Sequence, residues 1–385
     1  MGHPFFSIVI PTRNRPKLFR EALQSALEQD FDDFEVVVSD NSSDEDTQAI
    51  IRTFRDNPRL SAFRAENLSM PAHWEFATLK ARGRYVLVLP DRSVLKRHAL
   101  RTIHAAICSS KRDVLVCSWR WSLFDDSLNL VYADYPVVQA DEVLNLPSKN
   151  IIRSFATGGA RIPYDLPRGL NSCYRYDLAD EIRSKHGALF LPLSPDFTSA
   201  FLLLAHAENV LFLDTAIVIS QGLGVSNGGV VSRSKAAADA YISSLGDFDC
   251  YAHVPFKKPL ITNGIFEDFL SIQEKAAGNL QEIELNWTHY FTACYREIIE
   301  KKAAGFGDKG ENSALMMEWE RALSGFDGAT QQEVRSRQAR LGGAKFKAYL
   351  RSTLVGLLMV RVKRWLEARG NTGKSVLDHA GFGDG

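Results

Sequence analysis

The chain has 385 residues, 46 Lys plus Arg against 46 Asp plus Glu, 45% apolar residues and a formal charge of zero. That length points to two or three domains of roughly 150 residues with a sizeable core, and the ordinary composition excludes a wholly disordered, collagen-like or coiled-coil chain. The zero conceals an asymmetry: residues 334–374 hold eleven Lys or Arg against one acid, Glu367, so that segment is near +10 and the remainder near −10. The cysteines Cys108, Cys117, Cys173, Cys250 and Cys294 are widely spaced, odd in number and without a CxxC pair. That argues against a disulfide framework or a zinc site and for a reducing cytoplasm. The sequence enters a strand-like run at once and has no apolar stretch of about 18 residues, so neither export nor membrane crossing is expected.

From Ser7 to about Trp121, short β-branched runs alternate with helical periodicity, which predicts βαβ units and a mostly parallel sheet. Strands are predicted at Ser7–Ile10, Phe34–Ser39, Leu60–Phe63, Tyr85–Leu89 and Val114–Ser118. Leu18, Ala22, Leu23, Ala26 and Leu27 mark a helix after the first strand, with Pro16 in its first turn. Ser43 and Asp46 read as a capping box before Ile50, Ile51 and Phe54. From about 125 to 170 the pattern weakens into short strands, turns and a loop with Gly158, Gly159, Pro163 and Pro167. A second block follows: a helix near Leu178–Lys185, an apolar helix from Pro195 to about Ala207, and paired strands Val210–Leu213 and Ala216–Ser220. Beyond the Gly-rich turn Gly222–Gly229 the chain reads mainly helical.

Open α/β sheets bind ligands at the carboxyl ends of their strands. The first strand ends in Pro11-Thr12-Arg13-Asn14-Arg15, which delivers backbone donors and two guanidinium groups there. The second ends in Asp40-Asn41-Ser42-Ser43-Asp44. An acid at that edge suits a ribose hydroxyl or a base N–H, and Arg suits phosphate bidentately. Read singly, Asp40 to Ser43 cap a helix and Arg13 is surface charge.

Taken in order, Ser7-Ile-Val-Ile-Pro-Thr-Arg-Asn-Arg-Pro, a helix, and then Phe34-Glu-Val-Val-Val-Ser-Asp-Asn-Ser-Ser-Asp closely resemble the opening of family 2 glycosyltransferases. The resemblance continues through Asn67–Leu95 and, more loosely, to about Gly228. It implies the α/β GT-A fold, a mostly parallel Rossmann-like sheet flanked by helices, with a mainly helical C-terminal region after it. It also implies a nucleotide-diphosphate-sugar donor and inversion at the anomeric carbon. On that resemblance Thr12, Arg13 and Asp40 fall at nucleotide-binding positions, and Pro11, Arg15 and Asn41 join them on the donor side. The division is then 1–230 for the glycosyltransferase domain (donor half about 1–122, acceptor half about 123–230), 231–330 for a helical extension and 331–385 for a basic C-terminal segment.

The segment from Gly83 to Leu95 stands where the family carries a strand and an acidic cluster that holds Mg²⁺ or Mn²⁺ on the sugar diphosphate. Here only Asp91 is acidic, beside Pro90, Arg92 and Ser93. Three readings stay open. A metal is held by Asp91 with substrate phosphates and waters, Arg92 neutralises the diphosphate in its place, or the chain is a catalytically inactive sugar-nucleotide-binding or scaffold protein on the same fold. His73, in Met70-Pro-Ala-His-Trp74, lies in a segment some members carry near the donor; it contacts diphosphate or sugar, or is a structural hydrogen-bonder.

Leu193-Ser-Pro-Asp-Phe-Thr-Ser-Ala-Phe-Leu resembles the family's general-base context, which makes Asp196 the group that takes the acceptor's proton. Its other reading is an acid at a helix N-terminus. Gly169-Leu-Asn-Ser-Cys-Tyr-Arg-Tyr-Asp resembles the segment that frames the acceptor pocket, with Ser172, Tyr174 and Arg175 as contacts. Gln221 to Gly229 suits a lid or an exposed turn.

From Lys345 to Leu366 an apolar centre lies between basic flanks. It is too short and interrupted to span a bilayer but suits an interfacial helix on anionic lipid, where a polyprenol-linked acceptor would lie. Its other reading is a packed helix whose charge complements the acidic remainder or a second copy of the chain. No nucleic-acid module accompanies the charge. The expected protein is an inverting glycosyltransferase of polysaccharide, lipopolysaccharide or glycolipid assembly, cytoplasmic or peripheral on the inner face of the cell membrane, acting on a saccharide or lipid-linked acceptor.

Overall fold

The computed structural model describes residues 3–124, 130–132, 143–159, 166–221, 226, 228–229, 231, 234–276, 278–303, 309–351 and 376–382. β1 (Phe6–Thr12), β2 (Phe34–Asp40), β3 (Leu60–Arg64) and β4 (Tyr85–Val88) form a parallel block in the order β3-β2-β1-β4. The sheet continues beyond β4 through β9 (Ser172–Arg175), β6 (Val116–Phe124), β10 (Asn209–Ser220) and β5 (Ser93–Leu95). β9 is antiparallel to both its neighbours, while β6 and β10 run parallel. Two short strands complete it: β7 (Leu130–Tyr132) on β6 and β8 (Val143–Pro147) on β10.

β1, β2 and β4 are buried along their whole length, which explains why they read as unbroken apolar runs. Alternate residues feed two cores on the two faces of the sheet. Ile8, Ile10, Val36, Val38, Leu87 and Leu89 face one, which is covered by the helices Pro16–Leu27 and Ala99–Ser109. Val9, Val37, Val86 and Val88 face the other. That second core is covered by Met70–Thr78, Ser148–Thr157, Tyr176–His186 and Pro195–His206, and runs on without a break into the helices Ile261–Lys275 and Trp287–Ala303, as far as Val334. Lys309–Ser324 and Gly328–Arg351 close the helical region. Among the described residues no helix is long and apolar enough to cross a membrane.

The βαβ block and the helical character after residue 230 are as the periodicity predicts. Three local expectations are corrected. Val210–Leu213 and Ala216–Ser220 are not a hairpin but one twelve-residue strand, β10, whose register on β6 shifts around Ala216. Asp214, between them, forms an ion pair with Arg120, and the strand runs on. Ser43 does not cap the helix Asp46–Thr53; it bonds to Asn14, and Asp44 Oδ1 accepts from Asp46 N at 3.1 Å instead. The helix Ser148–Thr157 occupies part of the stretch expected to hold only short strands and turns, with Ile151, Ile152, Phe155 and Ala156 buried. Finally, Cys117 and Cys173, distant in sequence, lie directly opposite on β6 and β9 as buried free thiols, and burial raises the Cys117 pKa. Pro163, the Gly-rich turn apart from Ser226, Gly228 and Gly229, and residues 352–375 of the basic segment lie outside the described residues.

The chain returns to the sheet at its end. Val376 and Ala380 pack on Val94 of β5 and Ile219 of β10, and Arg97 N donates to Ala380 O at 2.9 Å. At the opposite edge, Glu35 is buried beneath the start of β1, where it accepts from Ser7 Oγ at 2.6 Å and from Arg82 N at 2.7 Å. Gly83 makes that crossing feasible: a Cβ there would stand 2.6 Å from the Phe6 carbonyl carbon and from Ser7 N. Backbone atoms on a central strand have nowhere to retreat. Gly83→Ala is therefore expected to cost about 3 kcal/mol, seen as a lower urea midpoint with an unchanged slope.

Candidate functional site

The chain leaves β1 for β2 and β3, then returns to β4 on the other side of β1. Strand order therefore reverses between β1 and β4, and a crevice opens at their carboxyl ends. Thr12 ends β1, and Asp91 lies just past β4. Thr12 Oγ1 donates to Asp91 Oδ2 at 3.1 Å, and Arg15 Nη1 reaches Asp91 Oδ1 at 3.2 Å. Thr12 and Asp91 are 1% and 5% exposed, so the pair lies below the surface.

The loop after β2 is tied to the same place. Asn14 adopts φ +56°, a left-handed conformation that its short amide tolerates. This brings its Oδ1 to Ser43 N at 2.9 Å, while Asn14 N donates to Ser42 Oγ at 2.9 Å. Asp40, fully buried, accepts from Ser42 N at 2.9 Å and from Gln48 Nε2 at 2.6 Å. Asn41 grips Leu68 in both directions, Nδ2 donating to its carbonyl at 2.8 Å and Oδ1 accepting from its N–H at 3.0 Å. Arg13 joins them, donating to Asn67 Oδ1 at 2.8 Å and to Leu68 O at 3.3 Å.

A second set arrives from later in the chain. Asp196 sits in the first turn of Pro195–His206, and Arg168 Nη1 lies 3.2 Å from its Oδ2. Arg168 is itself buried, with its guanidinium over the rings of Trp121 at 4.4 Å and Phe197 at 4.9 Å. Burial pushes the Asp196 carboxyl above its ordinary range, while Arg168, the backbone N–H groups of the turn and Arg92 draw it back. That influence of Arg92 joins the two sets, because Arg92 directly follows Asp91. Arg92 also bonds the chain after β10: its Nη1 donates to Gln221 O, and Gln221 N donates to its carbonyl at 3.0 Å.

The residues present do not fit a divalent cation held by the protein. Asp91 is the sole carboxylate of its segment, and one of its oxygens is met by the Arg15 guanidinium, which opposes a cation there. Among the described residues no group of three His, Cys, Asp or Glu stands ready to hold a metal.

The structure brings together Thr12, Arg13, Arg15, Asp40, Asn41, Asp91, Arg92 and Asp196 at one edge, with Pro11 inside β1 opposite Ser39. It does not bring the others there as ligand contacts. His73 is 4% exposed, with Nε2 at 3.1 Å from Ser39 O and 2.9 Å from Ser39 Oγ, a structural bond that pins its helix to β2. Tyr174 is 1% exposed inside the core. Arg175 pairs in register with Tyr85 at the amino end of β4 and forms ion pairs with Asp113 and Asp177, at the opposite edge. Ser172 is buried and donates to Arg168 O at 2.8 Å, so it shapes the Arg168 turn. The hollow of about 700 Å³ beside Arg82, Arg84 and Arg175 belongs to that opposite edge, where Glu35, Asp113 and Asp177 already pair with Arg82 and Arg175. Sequence reasoning missed Arg168 and Trp121; the one signal was an arginine set beside Pro167 and Gly169, before a strand that is otherwise buried.

The family model for glycosyl transferase family 2 matches residues 7–154. The chain is 32% identical over 103 residues to the GalNAc(5)-diNAcBac-PP-undecaprenol β-1,3-glucosyltransferase of Campylobacter jejuni, a match covering 26% of this chain and 33% of that protein. It is 33% identical over 115 residues to the poly(ribitol-phosphate) β-N-acetylglucosaminyltransferase TarS of Staphylococcus aureus, covering 29% of this chain and 20% of that one. The matches therefore span a third or less of these curated relatives. A solved structure of S. aureus TarS 1–349 with UDP-GlcNAc aligns over 89% of this chain and 92% of that one, at 16% identity and a TM-score of 0.48.

Burial holds the His73 pKa down at about 4, against the unfolded value of about 6.5. Its contribution to stability is thus complete above pH 6.5 and lost as the pH falls toward 4, a change on the order of 3 kcal/mol. The His73 imidazole NMR signals are expected to stay constant between about pH 5.5 and 8, where an exposed histidine titrates.

Proposed function

We propose that this chain, whose residues 7–154 match the family model for glycosyl transferase family 2, is an inverting glycosyltransferase that moves a sugar from a nucleoside-diphosphate donor to an acceptor hydroxyl. The observation that carries the reading is the meeting, at one sheet edge, of a cationic crevice around Asp91 with a buried acid, Asp196, that lies within the electrostatic reach of Arg92.

In this reading Asp40 takes the nucleoside, since a carboxylate has acceptor sites beyond the two it uses on Ser42 and Gln48. Arg13, Arg15 and Arg92 face the diphosphate. Asp196, its pKa raised by burial, removes the acceptor's proton as that oxygen attacks the anomeric carbon. The bond from that carbon to the diphosphate oxygen breaks as the new one forms, and the nucleoside diphosphate leaves with the electron pair. The guanidinium groups receive the charge that develops, which a preorganised cation stabilises without reorganising. No covalent sugar intermediate is required. The acceptor is a saccharide or a lipid-linked glycan of envelope polysaccharide or glycolipid assembly, the kind of molecule that the C. jejuni relative's name describes.

The test is nucleotide release from a panel of UDP-, GDP- and dTDP-sugars with Mg²⁺, Mn²⁺ or chelator, on wild type and Asp196→Asn. Expected are chelator-resistant turnover by the wild type, and loss of about 10³-fold in the variant with donor affinity kept. Release that needs added metal would return the diphosphate to a cation at Asp91. Full turnover by Asp196→Asn would remove the base, and no release with any donor would favour a sugar-nucleotide-binding scaffold.

The same reading gives the basic segment 345–366 a purpose, as a contact with an anionic inner membrane face that holds the enzyme beside a lipid-linked acceptor. Replacing Arg361, Lys363 and Arg364 by Gln is expected to weaken binding to phosphatidylglycerol vesicles by about 1 kcal/mol per charge, read by cosedimentation at low salt. Unchanged binding would leave the segment to packing or to contact with a second copy.

A further inference from the structure

We propose that Asp268 and Tyr241, both in the helical region beyond residue 230, are positioning residues that fix where the Asp196 carboxylate stands. The inference rests on the reading of Asp196 as the base and extends its machinery into the helical region beyond residue 230.

Asp268 lies on the helix Ile261–Lys275 and is 1% exposed. Its two oxygens accept from two successive backbone N–H groups, Leu193 N at 2.7 Å and Ser194 N at 3.0 Å. Tyr241, on the helix Lys235–Ser244, donates its hydroxyl to Leu193 O at 2.5 Å. The Leu193–Ser194 peptide, two residues ahead of Asp196, is thus held at its N–H and its carbonyl, and the Leu193 N–H before it is held as well. Ser194 is also the residue whose carbonyl starts the next helix, accepting from Phe197 N and Thr198 N at 2.9 Å each. Its own side chain makes no cap bond. The direction in which Pro195–His206 leaves, and so the direction in which Asp196 projects, follows from how this one peptide is gripped.

A loop needs no such device merely to be ordered. Two N–H groups are satisfied more cheaply by water or a hydroxyl than by a carboxylate taken out of solvent. What a bidentate carboxylate adds is a fixed direction for both bonds at once. Among the described residues, charged and titratable groups around Asp196 include Arg168, Arg92, Tyr241 and Asp268, and of these Tyr241 and Asp268 hold the backbone of Leu193 and Ser194 on its N-terminal side.

Asp268→Asn keeps the shape but turns an amide N–H against one of the two backbone N–H groups, so half of the clamp is lost. Turnover is expected to fall about 10- to 100-fold with donor affinity within about twofold of wild type. Tyr241→Phe removes a single hydroxyl and is expected to cost about threefold to tenfold, which keeps the test alive should Asp268→Asn not fold. The deciding measurement repeats both changes in the Asp196→Asn background, on the residual rate. A residue that acts only through Asp196 loses its effect there, and the double variants should match Asp196→Asn within about twofold. An additive loss in that background, a donor affinity that weakens in step with turnover, or an unchanged turnover for both variants overturns the proposal. Full turnover by Asp196→Asn alone would overturn the base itself, and the clamp's role with it.

Discussion

A carboxylate at the point where the strand order reverses organises this molecule. β1 and β4 pair in register from Phe6 with Tyr85 to Val9 with Val88, and Leu89 N continues the ladder to Val9 O at 2.8 Å. The two strands therefore deliver their next residues to one level, where Asp91 accepts from Thr12 and Arg15. Burying an acid is costly unless hydrogen bonds and an opposite charge offset the loss of water, and here the chain supplies both. An acidic cluster would leave carboxylate oxygens to an external cation. This segment has one carboxylate and spends it on an internal one.

The other half of the site is held from outside the parallel block. Asp196 belongs to a helix whose apolar residues, Phe201 and Leu204 among them, join a core shared with Phe266, Phe269 and Tyr290 of the helical region. Packing of this kind fixes where the helix lies, and the polar contacts at its N-terminus fix how it begins. Arg168 reaches Asp196 from one side while stacked on Trp121 and Phe197, so its charge is placed by aromatic faces rather than by solvent. The acid is poised by competition between burial, which raises its pKa, and two guanidinium groups, which lower it.

The parts legible in sequence are those set by local chemistry. Strands buried on both faces must be unbroken apolar runs, so β1, β2 and β4 were readable, and so were the polar residues at their ends. What escaped depends on a partner far along the chain. Tyr174 looks like a pocket residue, but alternation along β9 sends Cys173 to one face and Tyr174 to the core on the other. His73 looks like a ligand until Ser39 accounts for its ring. The break read between Leu213 and Ala216 is bridged within one strand, where Arg120 satisfies Asp214. Asp268 left a trace, an acid among Ile265, Phe269 and Ile272 on a buried helical stripe, yet its meaning required the Leu193 and Ser194 N–H groups opposite it.

The zero net charge has a spatial counterpart. Val334, at the start of the basic stretch, is buried in the helical region, and Arg335 pairs with Glu320 there. Its far neighbour Val376 is buried against Val94 and Ile219. Those two residues lie one position inside Ser93 and Ser220, whose hydroxyls meet at 2.8 Å beside the Arg92–Gln221 contact. The described residues that flank 352–375 thus include Val334, packed in the helical region, and Val376, packed on the strands that lead to Arg92.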